Sequence, residues 1–192
     1  VSPRQIEKLD AVLRGFASCC EYVNKNTDPK LTNQIAVQSL IYKAARDYSG
    51  LSAQMTIHAI RRVCANRKTA KQQNRPVKGF APTSATYDAR NFTFREKEKT
   101  VSLTMLKGRE KLSLHIGNYQ RHLLTGRNPK AAVLAKRKDG SYYLQIQLEY
   151  APPKSASTNK VLGVDLGRND IAVTSEGEKF RGNTNSRQIY PC

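Results

Sequence analysis

Asp165 is the residue best placed for chemistry. It lies in the run Val161-Leu162-Gly163-Val164-Asp165-Leu166-Gly167, which reads as a short apolar strand and a turn. A carboxylate held between Val164 and Leu166 sits in low dielectric, where its charge is costly unless a cation is near. A divalent metal removes that cost, and carboxylate-held metal pairs activate water and stabilise the leaving oxygen in phosphodiester hydrolysis. Gly163 and Gly167 remove side chains on either side, so another backbone or a phosphate can approach. The alternative is structural, an aspartate that caps a turn or pairs with Arg168. Asp170 opens the next strand and Glu176 sits in a tight turn with Gly177; these positions, unlike that of Asp165, suit solvent, and Glu178 offers no clearer substitute.

The second set of chemistry-bearing residues is cationic. Lys+Arg 33 against Asp+Glu 15 gives a net charge of +18 over 192 residues, and only 25% of the residues are charged, so acids are scarce rather than charge abundant. Such a field concentrates polyanions and disfavours a small-molecule enzyme without a polyanionic substrate. From Tyr48 to Tyr87 there is no acidic residue, while Arg61, Arg62, Arg67, Lys68, Lys71, Arg75 and Lys78 occur. A second acid-free stretch between Glu110 and Asp139 holds Arg121, Arg127, Lys130, Lys136 and Arg137, together with Lys111 and Lys138. Phosphate contact is the expectation for these groups, each adding about one unit to the salt slope of binding; an ordinary solvated face is the bland reading.

Three kinds of element must position these residues. Residues 1–76 read as helical: Ser2, Pro3 and Gln5 form a capping box with proline at the first helical position. Ile6, Leu9, Leu13, Phe16, Cys20 and Val23 then recur on one face. Asp28-Pro29 or Thr32 can start a second helix with a buried face of Ile35, Leu40, Ile41, Ala44, Ala45 and Tyr48, ended by Gly50. Ser52 can cap a third, with Met55, Ala59, Ile60, Val63 and Cys64 inward and the basic residues outward.

Residues 77–158 change period. Strands are expected over 86–94, 101–106, 111–116, 131–138 and 141–150, the last two joined by Asp139-Gly140, a strong hairpin signal. Tyr142, Leu144, Ile146, Leu148 and Tyr150 should face one way, giving a twisted antiparallel sheet or small barrel. Pro152, Pro153 and the polar residues after them make a linker, and a third domain is expected over 159–192.

Other sites are not indicated. Cys19, Cys20, Cys64 and Cys192 have no C-x-x-C spacing, so no zinc site is expected in this segment and a reducing cytoplasm fits best, with Cys19, Cys20 and Cys64 suiting small apolar roles on helix faces. His115 and His122 lack partners at ligand spacing and read as phosphate-contacting or core histidines rather than metal ligands. No apolar run approaches the roughly 20 residues that span a bilayer, so no membrane partner is expected. The chain opens on Val1 and closes on Tyr190-Pro191-Cys192, and an excerpt of something longer is the expectation.

The pattern V-L-G-V-D-L-G-x-N-x-x-A-V-x-S-E-G, preceded by a DG hairpin, a Pro-rich linker and a helix with Arg61-Arg62-Val63, resembles the TnpB family of transposon-encoded RNA-guided nucleases, related to type V CRISPR effectors. The resemblance implies an α+β chain: a helical recognition lobe over 1–76, most of an antiparallel wedge-type β-barrel over 77–158, and the first β-hairpin of an RNase H-like (RuvC) domain over 159–192. It implies RNA-guided cleavage of double-stranded target DNA by a Mg²⁺ (or Mn²⁺) site, with Asp165 as its first metal-binding aspartate. Guide RNA is the implied partner, and Gln54 falls where the family reads a short DNA motif beside the target. The family's wedge strand ahead of the first helix has no counterpart here, and its other catalytic carboxylates and zinc ribbon lie beyond residue 192. The 192-residue chain alone is therefore expected to be inactive.

Two other readings stay open. An apolar strand with Asp-Leu-Gly also resembles the first phosphate loop of actin, sugar-kinase and heat-shock ATPases, although Arg168, Asn169 and Asp170 replace the small residues usual there. A non-catalytic RNA-binding or transposon accessory protein would carry the same basic surface.

Overall fold

The computed structural model describes residues 2–77, 79–150, 161–167 and 170–181. The chain divides into two compact units, Val1–Tyr150 and Ala151–Cys192. The linker expected near Pro152 and Pro153, Lys78, Arg168 and Cys192 lie outside the described residues.

The first unit begins with α1, Pro3–Asn26. Its start is local chemistry: the Ser2 hydroxyl accepts from Gln5 N at 3.3 Å, and the Gln5 side chain accepts from Ser2 N at 2.9 Å. Two of the helix's orphan amides are thus satisfied. α2, Gln34–Ser49, starts instead on Asn33, whose Oδ1 accepts from Ile35 N and Ala36 N. Its buried stripe is Val37, Ile41 and Ala45. Ile35, Leu40 and Tyr48, expected inside, are exposed. Residues at i, i+4 and i+8 suffice for a helix that touches its neighbours along one narrow line. Gly50 ends α2 at φ +65°, the left-handed cap expected there.

α3, Ala53–Gln72, follows Ser52 and packs against both earlier helices. After it come β1 (Ser84–Asp88), β2 (Phe92–Arg95), β3 (Thr100–Thr104), β4 (Arg109–Ser113), α4 (Asn118–Leu124), β5 (Ala131–Lys136) and β6 (Tyr142–Gln147). The strand expected over 86–94 is broken at Asp88–Asn91, where Asp88 N donates to Asn91 Oδ1 and Asp88 Oδ1 accepts from Arg90 N. That Asx-type turn sends β1 and β2 into different sheets. One sheet has the order β1-β5-β6 and the other β2-β3-β4, all antiparallel.

The expected barrel is replaced among the described residues by these two open sheets. Closure would need all four edge strands, β1, β6, β2 and β4, to find a second partner, and each pairs on one side alone. The DG hairpin is present, with Gly140 at φ +84° and Ser141 N donating to Asp139 Oδ1.

One core unites helices and sheets, so the boundary expected near residue 76 is no break in packing. Leu13 and Phe16 of α1, Ile60 and Val63 of α3, and Tyr87, Leu103 and Leu134 of the sheets belong to the same buried cluster. Polar ties reinforce the seam. Asp10 on α1 receives Lys136 Nζ at 2.7 Å and Tyr142 Oη at 2.5 Å, and Lys8 pairs with Glu110. These donors, Lys136 foremost, hold the Asp10 carboxyl below the usual range. The cysteines Cys19, Cys20 and Cys64 are buried, and desolvation pushes the Cys20 thiol up to about 12.

The second unit contains β7 (Val164–Asp165), β8 (Asp170–Thr174) and β9 (Lys179–Arg181), ordered β7-β8-β9 and antiparallel. Gly177, at φ +88°, forms the β8–β9 turn. No helix among the described residues is long and apolar enough to cross a membrane.

Candidate functional site

α3 sorts the basic residues into two groups. Its inward stripe carries Met55, Ala59, Ile60, Val63 and Cys64, so Arg61, Lys68 and Lys71 fall on the outer face, followed by Arg75 just past the helix. All four are exposed, and Arg61 Nε also donates to Gln34 Oε1 at 3.1 Å. These cations have no acidic partner among the described residues, as a surface for phosphates requires.

Arg62 and Arg67 leave the stripe. Arg62 is half-buried over the Phe16 ring at 4.5 Å, and its guanidinium donates to Ser84 O, Ser84 Oγ and Thr86 Oγ1. It fastens α3 to β1, and desolvation lowers its pKa. Arg67 is only 2% exposed. Its donors go to Asn24 Oδ1 and O, Thr27 O and Oγ1, Asp28 O and Leu31 O, at 2.9–3.2 Å. Every acceptor belongs to the last turn of α1 or to the α1–α2 connection, so this cation is a strut within the fold and a phosphate cannot reach it.

Gln54 is likewise engaged at both ends. Its Nε2 donates to Asp88 Oδ2 at 2.5 Å and its Oε1 accepts from Arg90 Nη1 at 2.7 Å. One turn along, buried His58 places Nε2 3.2 Å from the same carboxylate oxygen, off the line of a hydrogen bond. Burial lowers the His58 pKa, with Arg61 and Arg62 adding to the effect and Asp88 opposing it. The unfolded chain therefore takes up this proton at higher pH than the folded one, and stability falls as pH drops through the ordinary imidazole value of about 6.5. Melting temperatures across pH 5–8 should show that fall in the parent and a flatter profile in His58→Gln.

The sheet residues divide in the same manner. Arg121 on α4 and Lys130 are exposed. Lys136 is taken by Asp10, which removes it from the free cations. Arg137 stacks 3.7 Å from the centre of the Tyr143 ring, and Arg127 stacks 4.2 Å from that of Tyr150 while donating to Glu149 O. Sequence reasoning missed these guanidinium–aromatic pairs; the DG hairpin, which folds Arg137 back beside Tyr143, was the available signal for the first. His115 and His122 are exposed rather than part of the core.

Asp165 stands on β7 opposite Val173. Its low-dielectric setting is not met in the described residues: Asp165 is exposed, as are Val164 at 53% and Leu166 at 75%. A two-residue strand cannot bury its own flanks. Gly163 is tied to Ser175, the residue after β8, with its N donating to Ser175 Oγ and its O accepting from Ser175 N. At Gly167 a Cβ would come within 3.1 Å of Asp170 O, so turn packing accounts for that glycine. Asp170 pairs with Arg181 at 3.1 Å. No group of three or more His, Cys, Asp or Glu able to hold a metal occurs among the described residues. Asp165 alone does not make a Mg²⁺ site, and no catalytic step can be drawn through a metal from these residues.

Set against known proteins, the chain matches no family model and no curated protein.

Proposed function

We propose that this chain is the amino-terminal part of an RNA-guided DNA endonuclease of the TnpB kind, with residues 1–76 as recognition lobe, 77–158 as wedge and 159–192 as the first RuvC segment. The observation that carries the reading is the exposed row Arg61, Lys68, Lys71 and Arg75 on and just beyond α3, without acidic partners among the described residues. A row of fixed cations on a rigid helix grips a phosphate backbone through shape and charge rather than base sequence. Sequence choice then falls to pairing between guide and target. The nuclease part rests on the motif around Asp165, which lies on the first strand of an antiparallel three-stranded sheet. In this reading Asp165 supplies one carboxylate, with Mg²⁺ or Mn²⁺ and the remaining ligands coming from outside the described residues.

Charge reversal tests the RNA-binding part. Combining Arg61→Glu, Lys68→Glu and Lys71→Glu should weaken binding of a structured RNA by at least about a hundredfold at 0.1 M salt and lower the slope of log K against log salt by about two to three units. The melting temperature should stay within a few degrees, because none of the three side chains is buried. An unchanged slope would return these residues to an ordinary solvated face.

A further inference from the structure

Sheet β1-β5-β6 ends on an edge strand with none of the usual protection. β6, Tyr142–Gln147, contains no charged residue, proline or glycine, and its register against β5 runs unbroken from Tyr142 to Gln147. Among the described residues nothing pairs with its other side. Edge strands are ordinarily blunted by lysine, proline or a bulge, because a row of open N–H and C=O groups invites another strand.

Two hollows border this edge. Leu144, Ile146 and Leu148 line one side of a cavity of about 610 Å³, with Leu112, Leu114 and Ile116 also on its wall. A smaller hollow of about 310 Å³ at the far end of β6 is lined by Arg127, Lys130, Gln147 and one acidic residue, Glu149, so the cations outnumber the acid there by two to one. At the near end Arg137 lies over Tyr143. An uncharged strand beside an apolar cavity is therefore flanked by cations at both ends.

We propose that β6 is a docking edge for an acidic peptide segment of another protein, extended, with apolar residues at alternate positions and carboxylates at its ends. Strand addition draws affinity from the backbone ladder and specificity from pockets that take every second side chain. From Tyr142 to Gln147 the edge spans about 20 Å at roughly 3.3 Å per residue, room for about six residues in the ladder, with the peptide's charged ends lying beyond it. The terminal carboxylates meet Arg127 and Lys130 at one end and Arg137 at the other. A second copy of this chain is disfavoured by its charge of +18. A nucleic-acid strand would meet the cations but has no alternating N–H and C=O groups for the edge, nor aliphatic side chains for the leucine-lined cavity.

The test uses the full chain and a fluorescent decapeptide in which valine alternates with serine between Asp-Glu pairs at both ends. The expected result is saturable binding and at least about tenfold slower amide exchange over residues 142–147. An isomer methylated on alternate backbone nitrogens keeps the charge and side chains but cannot complete the ladder, and it should bind at least about tenfold more weakly. Arg127→Glu with Lys130→Glu should weaken the parent peptide and leave the melting temperature within a few degrees. Equal binding of the methylated peptide would overturn the proposal, since net charge alone would then account for it. Stronger protection of the same amides by an RNA oligonucleotide of equal charge would also overturn it, as would protection without peptide that disappears on dilution, which would assign the edge to a second copy.

Discussion

Replacing Arg67 with alanine is expected to lower the stability of the first unit by about 4 kcal/mol, a loss of about 8–16 °C in melting temperature. The guanidinium makes six hydrogen bonds, four of them to backbone carbonyls, one in the last turn of α1 and three in the α1–α2 connection. Truncation removes the guanidinium from these part-buried acceptors, of which Asp28 O still accepts from Leu31 N, at about 1–3 kcal/mol for each one left unpaired before relaxation and water entry reduce the sum. Arg67→Lys discriminates between charge and geometry. Lysine keeps the positive charge but offers three donors from one point, so it meets at most half of the acceptors and should recover less than half of the loss. A residue acting as a phosphate contact would behave in the opposite way, with lysine nearly as good as arginine and the melting temperature unmoved. Thermal unfolding of the three proteins, followed by circular dichroism, separates the two roles.

The largest effect on activity is expected at Asp165. On the proposed function, Asp165→Ala in a protein that carries the remaining carboxylates should reduce DNA cleavage by at least about a thousandfold, the loss of several kcal/mol that removing a metal-holding carboxylate from such a site would cause. Binding of RNA should change by less than about twofold, because Asp165 is exposed on a short strand and belongs to the compact unit that does not contain the α3 cations. Asp165→Asn should be nearly as inactive, since it preserves shape and removes charge. Asp170→Ala is the control: its carboxylate is already held by Arg181, and its loss should lower cleavage by no more than about tenfold through local loosening of β8 and β9. Cleavage at the parent rate in Asp165→Ala would remove the residue from the chemistry.

Local signals were the most legible. The Ser2-Pro3-Gln5 box, the left-handed Gly50 and the Asp139-Gly140 hairpin depend on neighbours a few residues away, and each formed as expected. Faces and partners depend on the rest of the fold. α2 carries two apolar sets, and periodicity alone does not distinguish Val37, Ile41 and Ala45, which are buried, from Ile35, Leu40 and Tyr48, which are not. Arg67 read as surface charge because its partners are backbone carbonyls, which leave no mark in the side-chain sequence. Lys136 read as free for a similar reason, its partner Asp10 lying on the first helix. α4 was missed because seven residues give less than two helical turns of pattern. The barrel was overextended: the strand pattern was present in the sequence, but closure depends on edge pairing, which alternation does not specify. At Asp165 the motif was visible while its environment was not, because the burial of Val164 and Leu166 depends on what covers the sheet.

The account turns on whether an RNA directs the chemistry. The decisive measurement expresses the whole gene with its flanking DNA, sequences the RNA that purifies with the protein, and incubates the complex with Mg²⁺ and two duplexes, one matching the variable part of that RNA and one mismatched throughout. The account predicts cleavage of the matching duplex alone, transferred to the other when the RNA is rewritten to match it. Cleavage of both duplexes alike, or a protein that purifies without RNA and binds ATP instead, would contradict it.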